Sequence, residues 1–215
     1  MSLALLIEST SVKLSLGLCK DYELLWSGEE VKGKNLSQIQ VLLDQGLIDT
    51  GTSINELRDI AFDSGPGSYT SLRVGIAFAI GLAYSRNIPL YPIPKSKIMF
   101  GTVSHLDFEN IITAIHARQD IYHITHFNRE GKVIHELRDN SHGLLRLYEK
   151  MENGVLISDH LDQFKTKDEV PNSFINFAPD ALSLLKPFEL SSKNKEFIPL
   201  EQIKPIYFSE PGLAK

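Results

Sequence analysis

Thirty residues pass before the first helix signal, and that opening constrains the fold more than any other stretch. Leu3 to Ile7 is an unbroken apolar run, the pattern of a strand covered on both faces. Glu8-Ser9-Thr10-Ser11 makes a polar turn, residues 12–19 alternate, Lys20-Asp21 turns the chain again, and Tyr22 to Ser27 extends a third time. The same order returns at 111–115, 121–127 and 132–137, with Gly131 in the turn between the last two and a helical segment near 143–151. The change of character around Leu106 to Asn110 predicts an α/β chain of two related subdomains, 1–105 and 106–215.

Between the two openings the signals are local. Asn35 can cap a helix through Leu47, with Leu36, Ile39, Leu42, Leu43 and Leu47 on one stripe. Ser53 followed by Glu56 is a capping box, and residues 60–64 read as a short buried strand. A helix of about sixteen residues is expected next, stopped by Pro89, then a strand at 90–93 and a helix at 96–104. Later, 155–158 and 174–177 read as strands and 179–185 as a short helix, and the tail from Ser191 is expected to run over the surface.

The corner DSGPGSYTSLRVG, Asp63 to Gly75, delivers the long helix. A glycine-rich entry to a helix N-terminus suits an anion, with Gly65, Gly67, Ser68 and Thr70 as contacts, Arg73 adding charge and Glu8 as a nearby carboxylate. The spacing is not that of a P-loop, and the glycines equally suit a tight strand-to-helix corner. From Val74 to Tyr84 the helix carries no charge. Gly75, Ala79 and Ala83 form one row of small residues; Ala77, Gly81 and Ser85 form another. A helix apolar on every side is buried on every side, so it needs a cover besides its sheet: the helix at 35–47, or another polypeptide.

Composition excludes several functions. With 22 Lys and Arg against 27 Asp and Glu, the net charge is −5, so a free-standing nucleic-acid binder is not expected. Cys19 is the only cysteine, which removes disulfides and thiolate metal clusters. No apolar run approaches the ~20 residues of a bilayer span, and the start lacks a basic leader, so a cytoplasmic location without membrane contact is expected. His123 and His126 are three apart on a strand, which sends them to opposite faces, so no metal site is expected. The carboxylates Glu8 and Asp63 precede or adjoin the glycine corner, but the second half has no glycine-rich phosphate loop. No catalytic residue is therefore assigned.

The residues quoted above carry a family resemblance. GPGSYTSLRVGIAFAIGLA (65–83) resembles the signature of the TsaB (YeaZ) family, and LALLIESTS, IPLYPIPKS, AIHARQDIYHITHF and PIYFSEPGLAK fit it too. The chain departs from the family pattern at Glu8, Leu36, Tyr69 and Ser71. The resemblance implies an actin-like ATPase fold, related to ribonuclease H, of two α/β halves. It implies a non-catalytic scaffold for the enzyme TsaD in making threonylcarbamoyladenosine at position 37 of tRNAs, with TsaE binding the pair. It also implies a homodimer when TsaD is absent, tRNA contact only through the complex, and ATP or ADP bound only there. The interface expected with TsaD comprises Leu36, Ile39, Gln40, Leu43, Tyr69, Leu72, Arg73, Gly75, Ile76, Ala79, Ile80 and Ala83. The alternative is an actin-like ATPase or phosphotransferase acting alone, dependent on Glu8 and Asp63.

Overall fold

The continuous apolar run at the start became a central strand, and the alternating stretch after it became the interior strand beside it. The computed structural model describes residues 2–11, 13–31, 38–160, 173–204 and 206. In the first sheet β1 (Leu3–Glu8) is buried along its whole length, between β2 (Lys13–Lys20), antiparallel, and β4 (Leu57–Asp63), parallel. The alternating β3 (Glu23–Val31) forms one edge and β5 (Leu90–Ile93) the other, giving the order β3-β2-β1-β4-β5.

Two helices cover one face of this sheet. α1 (Gln38–Thr50) lies over β2 and β3, and α2 (Tyr69–Arg86) over β1, β4 and β5. Both send apolar residues into one cluster with Leu5, Ile7, Leu16, Leu18, Ile60 and Phe62. α2 ends where Asn87 takes the left-handed conformation (φ 53°) that asparagine tolerates at a C-cap, ahead of Pro89. The Ser53–Glu56 capping box is present and starts a 3-10 turn before β4. The expected cap Asn35, and with it Leu36, lies outside the described residues.

The second sheet repeats the plan. β6 (Asn110–Arg118), β7 (Ile121–Asn128) and β8 (Val133–Asp139) form an antiparallel meander. β9 (Gly154–Ser158) and β10 (Phe174–Asn176) then add in parallel, giving the order β10-β9-β6-β7-β8. α3 (Lys95–Val103) packs Met99 and Val103 on Ile111, Ile115 and Phe127 of one face. α4 (Ser141–Glu149) packs Leu144 on Ile112, Tyr122, Ile124 and Leu156 of the other.

The two compact units are not those expected from the sequence. The first is Met1–Pro94 together with the described residues from Pro179 on; the second is Lys95–Ala178. The boundary thus falls before α3, not at 105/106, because the apolar side of α3 belongs to the second core. The late segment returns to the first sheet. A 3-10 turn at Leu182–Leu184 and α5 (Leu185–Lys193) replace the single short helix expected at 179–185. Ala181, Leu184 and Phe188 are buried there, Ala181 N donates to Ser15 Oγ at 3.0 Å, and Phe188 meets Tyr91 edge-on at 5.3 Å. Even beyond α5 the segment does not simply cross the surface: Ile198 bridges to Leu90, and Ile206 N donates to Ser64 O at 2.9 Å.

Candidate functional site

The corner after β4 is built from the turn that ends β1. Glu8 is fully buried, and its Oε1 accepts from Thr10 N (2.8 Å), Ser11 N (2.9 Å) and Thr10 Oγ1 (2.9 Å). Thr10 Oγ1 also lies 2.5 Å from Asp63 Oδ2, and Asp63 Oδ1 accepts from Gly65 N at 2.7 Å. One hydroxyl therefore stands between two buried carboxyl groups, and the carboxylate of Asp63 holds the amide an anion would need. Gly65 has φ +97° and its backbone is closed in by Ile206 O, 2.6 Å from where a Cβ would lie. At Gly67 a Cβ would come within 2.5 Å of Thr10 Cβ.

Gly65 and Gly67 thus pack against the chain's own backbone and Thr10, as a tight strand-to-helix corner requires, and Glu8 is buried in the same turn. Ser68 and Thr70 remain exposed at the start of α2, where Ser68 Oγ meets Ser71 Oγ at 3.0 Å. Arg73 does not join the turn as a loose charge; its guanidinium sits 4.5 Å from the Tyr69 ring centre.

α2 is apolar all round but not buried all round. Leu72, Gly75, Ile76, Ala79 and Ala83 form the buried stripe, together with Ser71. A Cβ on Gly75 would lie 2.2 Å from Ser9 Oγ, so glycine is required there by the helix's approach to β1. Opposite runs an exposed stripe of Thr70, Arg73, Ala77, Gly81 and Tyr84, with Ile80 half-buried. The two small rows thus part company: 75, 79 and 83 face the sheet, and 77, 81 and 85 face outward. A Cβ on Gly81 would meet nothing within 4 Å. Beside it on the same face of the sheet, α1 exposes Gln40, Val41 and Ile48, the last at 74%.

This corrects the expected interface. Ile39, Leu43, Leu72, Gly75, Ile76, Ala79 and Ala83 belong to the core of the first unit and are closed to any partner. Gln40, Tyr69 and Arg73 are exposed as expected, and Ile80 is half-exposed. Val41, Ile48, Ala77, Gly81 and Tyr84 are exposed on the same two helices and were not among the expected residues. From Val74 to Tyr84 α2 has no charge to mark its outer side, although the row of 77, 81 and 85 was visible.

A second polar cluster escaped the sequence altogether. Lys95, 2% exposed at the start of α3, pairs with Asp159 just beyond β9 at 3.2 Å, and Asp159 Oδ1 accepts from His116 N at 3.0 Å. His160 stacks on His116 with ring centres 4.7 Å apart. Burial, with Asp120 and Asp159 nearby, pushes the Tyr122 hydroxyl up to about 12. His123 and His126 sit on β7 with separate partners, Glu136 (2.9 Å) and Asn110 (3.0 Å). Among the described residues no group of three or more His, Cys, Asp or Glu side chains is placed to hold a metal.

The chain is 28% identical to the tRNA threonylcarbamoyladenosine biosynthesis protein TsaB of Buchnera aphidicola over 91% of its own length and 93% of that protein. It is 33% identical to the TsaB of Haemophilus influenzae over 50% of the chain, a match that spans only 48% of that relative. The structure of YeaZ from Pseudomonas aeruginosa superposes with a TM-score of 0.78 at 20% identity, covering 97% of this chain and all of that one. A family model described as TsaD, tRNA N6-adenosine threonylcarbamoyltransferase, matches residues 29–164. The chain belongs to this family, on its TsaB (YeaZ) branch. The repeated five-strand order is the actin-like ATPase fold of that family, as the resemblance implied. Its matched segment begins in β3 and ends just past β9, and so contains both α1 and α2.

Proposed function

We propose that this chain is the non-catalytic scaffold of the threonylcarbamoyltransferase TsaD in making threonylcarbamoyladenosine in tRNA, docking through the exposed stripes of α1 and α2. The observation that carries the reading is Gly81. Glycine inside a helix costs up to about 1 kcal/mol against alanine, and nothing among the described residues needs the space it leaves. A bare position flanked by Ala77 and Tyr84 suits the close approach of another helix. Naming of the relatives as threonylcarbamoyladenosine biosynthesis proteins supports the same pathway.

On this reading catalysis resides in TsaD, and TsaE joins the assembled pair. Free protein pairs with itself through the same stripe, and tRNA is met only within the cytoplasmic complex. ATP or ADP binds only after assembly, since Asp63 already occupies the amide of Gly65. The test is co-purification with TsaD. Ala77→Arg and Gly81→Arg are expected to abolish the pair without lowering the unfolding temperature of the free chain, Gly81→Arg raising it slightly; a complex that survives both refutes the interface. Reconstituted tRNA modification should need both proteins. Calorimetry with Mg-ATP should be flat for this chain alone, and turnover sensitive to Glu8→Ala would favour the independent ATPase instead.

A further inference from the structure

The second sheet ends on an edge that is compatible with its own copy. β8 closes the order β10-β9-β6-β7-β8, so among the described residues no strand pairs with its outer side. Four of its seven residues in a row, Val133 to Glu136, are exposed, with Val133 at 45% and Ile134 at 43%. Edges of this kind are usually blunted by charge or distortion, because their unpaired amides and carbonyls recruit further strands. β8 carries a bulge at Ile134, opposite His126 and Phe127, but from His135 to Asp139 its pairing is regular, and there the charges follow an order that a second copy would satisfy.

Two copies of one strand related by a two-fold axis pair antiparallel, and residues facing each other across the axis share a side of the sheet. Centring the axis on Glu136 sets two glutamates against each other, and centring it on His135 runs the pairing through the bulge at Ile134. Centring it on Leu137 places Glu136 against Arg138 twice and His135 against Asp139 twice, with Leu137 facing itself. Directly opposed unlike charges stabilise an antiparallel pair and like charges destabilise it, so this register is the favoured one. Leu137 already packs against the cluster of Ile124 and Leu144, so the contact would extend that core across the edge.

We infer that a second copy of this chain pairs along β8 with Leu137 on the two-fold axis, joining two five-stranded sheets into one of ten. The surface lies in the second unit and does not depend on the docking role of α1 and α2. Sedimentation velocity of the full-length chain carrying Ala77→Arg, which blocks the helix face, reads this contact by itself. A weak, concentration-dependent dimer is expected. Glu136→Arg or Arg138→Glu alone should weaken it at least tenfold, and the two together should restore it to within about threefold. Leu137→Cys should crosslink to its copy under mild oxidation, whereas Ile134→Cys, at the bulge and well off the axis, should not. A chain that is monomeric at every concentration, charge variants without effect or without mutual rescue, or equal crosslinking at 134 and 137 would each overturn the pairing. None of those results would touch co-purification with TsaD, which reads the other surface.

Discussion

Gly75 and Gly81 stand six residues apart in one helix and do opposite things. Adding a methyl at Gly75 drives it into Ser9, whose Oγ donates to Ser71 O at 3.1 Å, so the helix must shift from β1 or that contact must break. Gly75→Ala is therefore expected to destabilise by about 1–3 kcal/mol, the usual scale of overpacking. Gly81→Ala adds a methyl in open space and should stabilise the free chain by roughly 0.5–1 kcal/mol. Urea unfolding of both variants reads the difference, and the same sign at the two positions would contradict the placement of the helix. Titration follows burial in the same way. Burial first, and the neighbouring His135 second, hold the His126 imidazole below its ordinary range. A histidine depressed in the fold takes up more protons when unfolded, so its contribution is intact at neutral pH and is lost as pH falls below about 6.5. The melting temperature should drop on acidification from neutral pH to about 5.5, and less steeply in His126→Gln. Burial also pushes the Cys19 thiol up to about 12, with the Asp59 charge adding to the effect. A thiol reagent at pH 8 should find no reactive group until the chain unfolds, and then one.

At the scale of elements, α2 shows what the sequence could carry. Its start, its end at Pro89 and its two small rows are all legible, because each depends on residues close together in the chain. Which row faces inward is not legible, since that choice is made by Ser9 and Ile7 of a distant turn and strand. The consequence is practical. Ala79 and Ala83 are fully buried, so an arginine at either would fail by unfolding the first unit and would say nothing about a partner. At Ala77 or Tyr84, which is 80% exposed, the same change should leave the thermal midpoint within about 2 °C of the parent, as surface substitutions do. The Lys95–Asp159 pair is the converse case. Nothing in the spacing joins residues 64 positions apart, yet the Asp159 carboxylate serves both Lys95 Nζ and His116 N. Asp159→Asn is expected to cost about 1–3 kcal/mol, read by denaturant midpoint.

Across the whole molecule, the repeated strand order was readable because three strands before a helix is a local pattern that occurs twice. The return of the late segment to the first unit was not, because its anchors are spread thinly through polar sequence. Ala181 and Leu184 nevertheless cover the side of β1 and β4 that α1 and α2 leave open, with Ala181 Cβ 3.3 Å from where a Cβ on Gly17 would stand, and Phe188 packs on Tyr91 of β5. Burying a leucine and a phenylalanine is worth about 1.5–3 kcal/mol each, and the alanine and the Ser15 hydrogen bond add about 1–2 more. The sum, roughly 4–8 kcal/mol, is of the same size as the whole stability of an ordinary domain. The first ninety-four residues should therefore not fold as an isolated fragment, although they contain an entire five-stranded sheet and both of its covering helices. A fragment of residues 1–94 is expected to show no cooperative thermal transition by circular dichroism. Joining residues 179–206 to it through a flexible linker should restore one, and Phe188→Ala in that fusion should lower its midpoint. A cooperative transition in the bare fragment, with the same midpoint as the fusion, would mean that the late segment merely rests on a unit already complete.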